Sequence, residues 1–306
     1  MRTLKGACHN WAGVSEILNT TKLQSLAIHQ AYQQLVAALE KCYDSGEAKS
    51  IARIVFEDAF GIHNFSRQEA LSPAQASQLR EITARLLAHE PVQYILGIAD
   101  FYGLKFKVDA RVLIPRQETE ELAHWMLETL ERKVLTVLDI GTGSGCIPVT
   151  LKQQRPEWDV WAVDISQDAL ELAAENARMN GVELHLRQTD ILDETLWAAL
   201  GQFDAIASNP PYIPTREAAL MPEHVKRFEP PLALFVDNED PLVFYRAITR
   251  FAQMHLKPGS WLFFETNEFN AGEVAEWLRN QRFKEVELKR DLSGKERMVR
   301  GEWVSV

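Results

Sequence analysis

The segment Ser208-Asn209-Pro210-Pro211-Tyr212-Ile213-Pro214 places three prolines within the five positions from 210 to 214. Each proline fixes φ and removes a backbone donor, so neither a helix nor a central strand continues through it. The segment follows the apolar run Phe203-Asp204-Ala205-Ile206-Ala207, which puts Asn209 directly after an expected strand. Its amide offers an acceptor as well as donors, and the carbonyl of Pro210 is a second acceptor, held by a neighbouring ring. Two such acceptors can take both protons of a planar NH2 group and aim its nitrogen at a reactive centre, while Tyr212 covers the planar face. Orientation of that kind can lower a barrier by several kcal/mol. A simple strand exit would explain the prolines but not the flanking Asn and Tyr.

Other corners carry complementary chemistry. Leu138-Asp139-Ile140-Gly141-Thr142-Gly143-Ser144-Gly145-Cys146-Ile147 reads as a glycine-rich turn between a strand and a helix. Such turns admit unusual φ angles and let the backbone approach a ligand. They serve dinucleotides, flavins, phosphates and S-adenosylmethionine, and some serve packing alone. The G-x-G-x-G spacing lacks the longer dinucleotide fingerprint. Asp164 stands about 20 residues on, where a carboxylate can accept from ribose hydroxyls; the competing role is a helix-start charge ahead of Ser166. At Thr189-Asp190-Ile191 an acid could accept from an adenine amino group and Ile191 could pack on the ring. A helix cap by Asp190 or Asp193 is the alternative. Together these corners favour a nucleoside-like ligand beside Asn209.

The elements needed to bring the corners together are legible in the hydrophobic periodicity. Strands are expected at 134–140, 158–164, 183–187, 203–208, 260–265 and 284–289, with 297–304 as a last edge strand. Helices are expected at 119–131, 146–154, 167–180, 241–255 and 271–281. Alternation of this kind implies a mainly parallel sheet covered on both faces, with ligands at the carboxyl ends of its strands. Upstream, helical spacing covers 17–42, 49–60 and 73–89. Ser72-Pro73 forms an N-cap and N1 pair, and Gly61 a C-terminal stop. Between 90 and 116 the period falls to two, with Leu104, Phe106 and Val108 alternating with charged residues, as in a hairpin. The domains read as 1–89, helical; 90–116, a hairpin linker; and 117–306, an α/β catalytic domain.

Composition limits the function classes. The 306-residue chain is 46% hydrophobic and carries a formal charge of -10. That balance argues against a broad basic face gripping nucleic-acid phosphates. Cys8, Cys42 and Cys146 form no CxxC pair, the eight histidines show no ligand spacing, and no metal is expected. The N-terminal MRTLKGACHNWAG has no apolar core, and no apolar run nears the roughly 18 residues of a membrane span, so a cytoplasmic location is expected. Arg116, Glu118 and Glu120 could shape a ligand entrance or be an ordinary helix-start charge cluster. The span from Pro214 to Pro241 could be a lid, a partner-contact surface or a plain surface loop.

Asp139-Ile-Gly-Thr-Gly-Ser-Gly145 followed by Asn209-Pro-Pro-Tyr212 resembles S-adenosylmethionine-dependent methyltransferases that act on planar nitrogens. Glu90-Pro-Val-Gln-Tyr-Ile-Leu-Gly97, Phe101-Tyr-Gly103, Leu113-Ile-Pro-Arg-Gln-Glu-Thr-Glu120 and Phe228-Glu-Pro-Pro-Leu-Ala-Leu234 narrow the resemblance to HemK/PrmC-type release factor glutamine methyltransferases. The resemblance implies a Rossmann-like methyltransferase sheet with a small N-terminal helical domain that recognises the substrate. It implies methylation, on the side-chain nitrogen, of the glutamine in the Gly-Gly-Gln motif of class I peptide chain release factors. It also implies cofactor contacts from Gly141, Thr142, Gly143, Ser144, Gly145, Asp164, Asp190, Ile191 and Asn209. Asn209, Pro210, Pro211 and Tyr212 would hold the glutamine, with Asn209, Pro210 and Tyr212 catalytic. A monomer without stable nucleic-acid or membrane binding is expected. A ribosomal-protein glutamine, adenine N6 in nucleic acid, and a nucleotide-binding regulator or dehydrogenase are the alternatives. Where the family often has Glu-Ile-Gly-Gln, this chain has Glu265-Thr266-Asn267-Glu268, so no role passes to that loop.

Overall fold

The computed structural model describes residues 27–304. The part of the expected 17–42 helix before residue 27, Cys8 and the N-terminal MRTLKGACHNWAG lie outside the described residues. The chain divides into two compact units, one ending at Gly97 and the other starting at Ile98. The 90–116 span is thereby split: a short helix falls in the first unit and a hairpin in the second.

In the first unit α1 (Ile28–Leu39), α2 (Ser45–Ile54), α3 (Pro73–Leu87) and α4 (Val92–Leu96) surround a core that includes Leu35, Leu39, Phe56, Leu79 and Leu86. Asp44 caps α2 by accepting from the backbone of Gly46 and Glu47. The Ser72 hydroxyl accepts from Gln75 N, whose own side chain reaches back, and Pro73 occupies the first turn, as the sequence predicts. A π-helical turn, Val55–Ala59, extends α2, and Gly61 at φ 66° follows it as the expected stop.

The second unit opens with the hairpin β1 (Ile98–Phe101) and β2 (Leu104–Lys107), then α5 (Gln117–Thr129). The alternation follows: β3 (Thr136–Ile140), α6 (Cys146–Gln154), β4 (Asp159–Asp164), α7 (Gln167–Met179), β5 (His185–Gln188) and β6 (Phe203–Ser208). Beyond the proline-rich segment come α10 (Val243–His255), β9 (Leu256–Glu265), α11 (Ala271–Asn280), β10 (Phe283–Arg290) and β11 (Glu296–Trp303). The seven-stranded sheet has the order β10-β11-β9-β6-β3-β4-β5, with β5, β4, β3, β6 and β9 mutually parallel. Alternate residues feed two cores. Leu138, Ile206, Leu262, Phe264 and Val299 meet α10 and α11, while Val137, Ala205, Phe263 and Met298 meet α5 and α6. Burial on both faces is why these strands read as continuous apolar runs.

The last strand corrects one expectation. β11 lies inside the sheet, antiparallel to both β9 and β10, and β10 forms the edge. Met298 and Val299 are fully buried there, and Gly301 leaves room for Phe283, which a Cβ would approach to 3.1 Å. The proline-rich span is also more ordered than a plain loop. It forms β7 (Ile213–Pro214), a 3-10 turn (Thr215–Leu220), α8 (Glu223–Phe228), α9 (Pro231–Leu234) and β8 (Phe235–Val236), with β7 and β8 paired in parallel. Among the described residues no helix is long and apolar enough to cross a membrane.

Candidate functional site

At the carboxyl ends of β3, β4, β5 and β6 the corners meet around a cavity of about 460 Å³, within the roughly 300–1,000 Å³ usual for small-molecule sites. Gly141, Thr142, Gly143, Ser144, Asp164, Asp190, Ile191, Asn209, Pro210 and Pro211 all line it. Gly145 and Tyr212 do not.

The glycine turn is built by left-handed backbone: Gly141, Gly143 and Gly145 have φ of 74°, 53° and 77°. The amides of Gly141 and Thr142 donate to the Val163 carbonyl, fastening the turn to β4. Gly145 works in packing, because a Cβ there would lie 3.0 Å from that of Ala173 on α7. Asp164 accepts from Gly143 N through Oδ2 and from Ser166 N through Oδ1, both at 2.9 Å. Each carboxylate oxygen retains lone-pair capacity towards the cavity. Burial raises its pKa against those backbone bonds. The cap of α7 is Ser166, whose hydroxyl accepts from Ala169 N, and Asp164 also serves as a charge at the helix start through its bond from Ser166 N. At the next corner Asp193 accepts from Thr195 N and caps the 3-10 turn Glu194–Ala199, whereas Asp190 closes a turn onto Leu192 N and faces the cavity beside buried Ile191.

Several polar groups here lack a hydrogen bond of ordinary geometry, although Thr142 and Asp139 lie close enough to influence each other. The hydroxyls of Thr142 and Thr189, both cavity-lining, and both oxygens of Asp139 are buried without a hydrogen bond of ordinary geometry. Asp139 ends β3 just behind the glycine turn, and burial pushes its carboxyl up to about 7, with Thr142 pulling the other way. Of these groups Thr142 and Thr189 border the cavity, whereas Asp139 lies behind its wall.

Asn209 follows β6 directly, as expected, and its Nδ2 donates to Thr119 Oγ1 at 3.2 Å. Thr119 Oγ1 in turn donates to Glu265 Oε2 at 2.6 Å. Glu265 ends β9, is 2% exposed, and burial raises its carboxyl to about 7, with the Thr119 bond opposing. In the sequence Glu265 figures only as the start of the 265–268 loop, to which no role passes, and Thr119 is not singled out. The only sign of Thr119 was its place within the Leu113–Glu120 motif. Tyr212 packs against the core beside the sheet, and burial raises its hydroxyl pKa, with Glu265 adding to the shift.

The charge cluster resolves into separate duties. Arg116 Nη2 binds both oxygens of buried Glu229 at 2.5 and 2.7 Å, clasping the proline-rich span, whose Pro230, Leu232 and Ala233 wall the cavity. Glu120 accepts from Tyr102 N of the hairpin at 2.8 Å. Glu118 lies close enough to raise the Glu265 pKa.

Residues 116–226 match the family model "Methyltransferase small domain", and residues 30–97 match "PrmC N-terminal domain". A release factor glutamine methyltransferase of Flavobacterium psychrophilum is 38% identical over 283 residues, covering 87% of this chain and 96% of that protein. One from Lactococcus lactis is 42% identical, covering 76% of this chain and 84% of its own length. A methyltransferase structure from Pyrococcus furiosus shares the fold, with a TM-score of 0.50 at 16% identity over 74% of this chain and 99% of that one. The chain belongs to the release factor glutamine methyltransferase family.

Proposed function

We propose that this cavity binds S-adenosylmethionine and that Asn209 presents to it the side-chain amide nitrogen of the glutamine in the Gly-Gly-Gln motif of class I release factors. The observation that carries the proposal is the placement of Asn209 and Pro210 on the wall of the cavity that also holds the glycine turn and Asp164. The donor set fits the cofactor. Asp164 would accept from the ribose hydroxyls, Asp190 and Ile191 would receive the adenine, and the glycine turn from Gly141 to Ser144 would receive the amino-acid end. When bound, S-adenosylmethionine supplies a methyl already activated on a sulfonium.

An amide nitrogen is a poor nucleophile because its lone pair is delocalised into the carbonyl. Asn209 Oδ1 and the Pro210 carbonyl would accept one proton each from the incoming NH2, which favours positive charge developing on that nitrogen and fixes its direction. The prolines hold both acceptors on stiff backbone, and Tyr212, packed on the core, anchors the segment behind them rather than covering the amide plane. One proton leaves the nitrogen for water as the N–CH3 bond completes. The first unit would recognise the release factor, and the protein would work as a cytoplasmic monomer without stable nucleic-acid binding.

Incubation with methyl-labelled S-adenosylmethionine and purified release factors tests the substrate: label should enter the intact factor and be absent when the motif glutamine is replaced. Asn209→Ala should lower turnover at least about a hundredfold with an unchanged far-ultraviolet spectrum. Near-normal turnover would remove Asn209 from the reaction.

A further inference from the structure

Resting on that assignment of Asn209, we infer that Thr119 and Glu265 are positioning residues that decide which way the Asn209 amide faces. A threonine hydroxyl has one proton to give and lone pairs to receive. The 2.6 Å separation from Glu265 Oε2 commits the Thr119 proton to the carboxylate. Toward Asn209 the same oxygen can then only accept, so the atom 3.2 Å away must be the amide nitrogen. Oδ1 is left as the acceptor for the substrate. The opposite orientation would present NH2 to NH2, donors against donors. Thr119 and Glu265 are both buried, at 3% and 2% exposure, and Thr119 borders the cavity beside Asn209.

The chain of bonds depends on the ionisation of Glu265. A protonated Glu265 could donate to Thr119 Oγ1, release the Thr119 proton toward Asn209 and favour the flipped amide. The groups set around this carboxyl are Arg116 and Glu118 at the start of α5, Arg297 on β11, Tyr245 on α10, Tyr212 after β6 and Cys146 on α6. The Tyr245 hydroxyl donates to the Glu265 carbonyl at 3.1 Å, which pins the backbone but leaves the carboxylate to Thr119.

Turnover of Thr119→Val, Thr119→Ser, Glu265→Gln and Asn209→Ala should be compared on purified release factor, with calorimetric binding of S-adenosylhomocysteine as a second readout. Thr119→Val is isosteric but lacks the hydroxyl. It should lose on the order of 10- to 100-fold in kcat, the range seen when an orienting partner is removed, with cofactor affinity within about twofold. Thr119→Ser should restore most of the rate. The wild-type kcat should fall on the acid side with the titration of Glu265, and that limb should vanish in Glu265→Gln. Wild-type kcat in Thr119→Val, equal losses in the Val and Ser variants, or an unchanged acid limb in Glu265→Gln would each overturn the inference. An active Asn209→Ala would instead overturn the assignment on which it rests. Should Thr119→Val not fold, the pH profile of Glu265→Gln decides.

Discussion

Asp164 shows how one side chain can serve both the fold and the ligand. Its oxygens fasten the glycine turn through Gly143 and the start of α7 through Ser166, and the same carboxylate borders the cavity. An asparagine there would have only one acceptor oxygen and would set its NH2 against one of those two amides. Asp164→Asn should therefore weaken S-adenosylhomocysteine binding by roughly 10- to 100-fold, about 1.4–2.8 kcal/mol, as titration calorimetry would measure. Asn209 illustrates a different dependence. Its proline neighbours set the backbone, but the use of its amide is settled by Thr119, 90 residues away in sequence.

At the scale of elements, the turn between β3 and α6 separates two uses of glycine. A Cβ at Gly141 meets nothing within 4 Å, whereas at Gly145 it would strike α7 at Ala173. Both residues are left-handed, so alanine at either position carries backbone strain of about 1–2 kcal/mol. Gly145→Ala adds a steric conflict between two helices and should cost about 2–4 kcal/mol. Thermal denaturation should show a fall in Tm of several degrees for Gly145→Ala and clearly less for Gly141→Ala; equal falls would show that packing on α7 is not the reason for glycine there. The proline-rich span is held as an element by pairing of β7 with β8 and by the Arg116–Glu229 clasp, in which a buried acid meets an arginine from the start of α5.

For the whole molecule, the buried acids Asp139 and Glu265 predict how stability varies with pH. Their ordinary values of 3.8 and 4.5 rise to about 7 on folding, chiefly through burial. Between those limits the folded chain holds more protons than the unfolded one, so stability falls as pH rises through that window, at about 1.4 kcal/mol per unit for each group. Above about pH 7 the penalty is complete. Asp109 and Asp291 are shifted downward and act in the opposite sense, losing stability only as pH drops below the ordinary aspartate range. Urea denaturation of the ligand-free protein should give a higher midpoint at about pH 5.5 than at about pH 8. Asp139→Asn and Glu265→Gln should each flatten the difference, and a pH-independent midpoint in the wild type would contradict the buried-acid account.

Local physics was written along the chain. The strands of the parallel sheet, the helices between them, the cap at Ser72 and the positions of Asn209, Asp164 and the glycines follow from periodicity, turn chemistry and the rule that ligands sit at strand ends, and they coincide with what the structure shows. Those signals extend over a few residues and so survive in a one-dimensional reading. Tertiary structure decided whatever joins distant positions. β11 enters the sheet between β9 and β10 because its buried pair Met298–Val299 completes both cores, which a strand-by-strand reading cannot reveal. Tyr212 turned to the core, Gly145 to a neighbouring helix, and Glu265 came to Thr119 across 146 residues. A carboxylate at a strand end looks the same in sequence whether it meets water, a ligand or a buried hydroxyl, and only the order of the strands determines which.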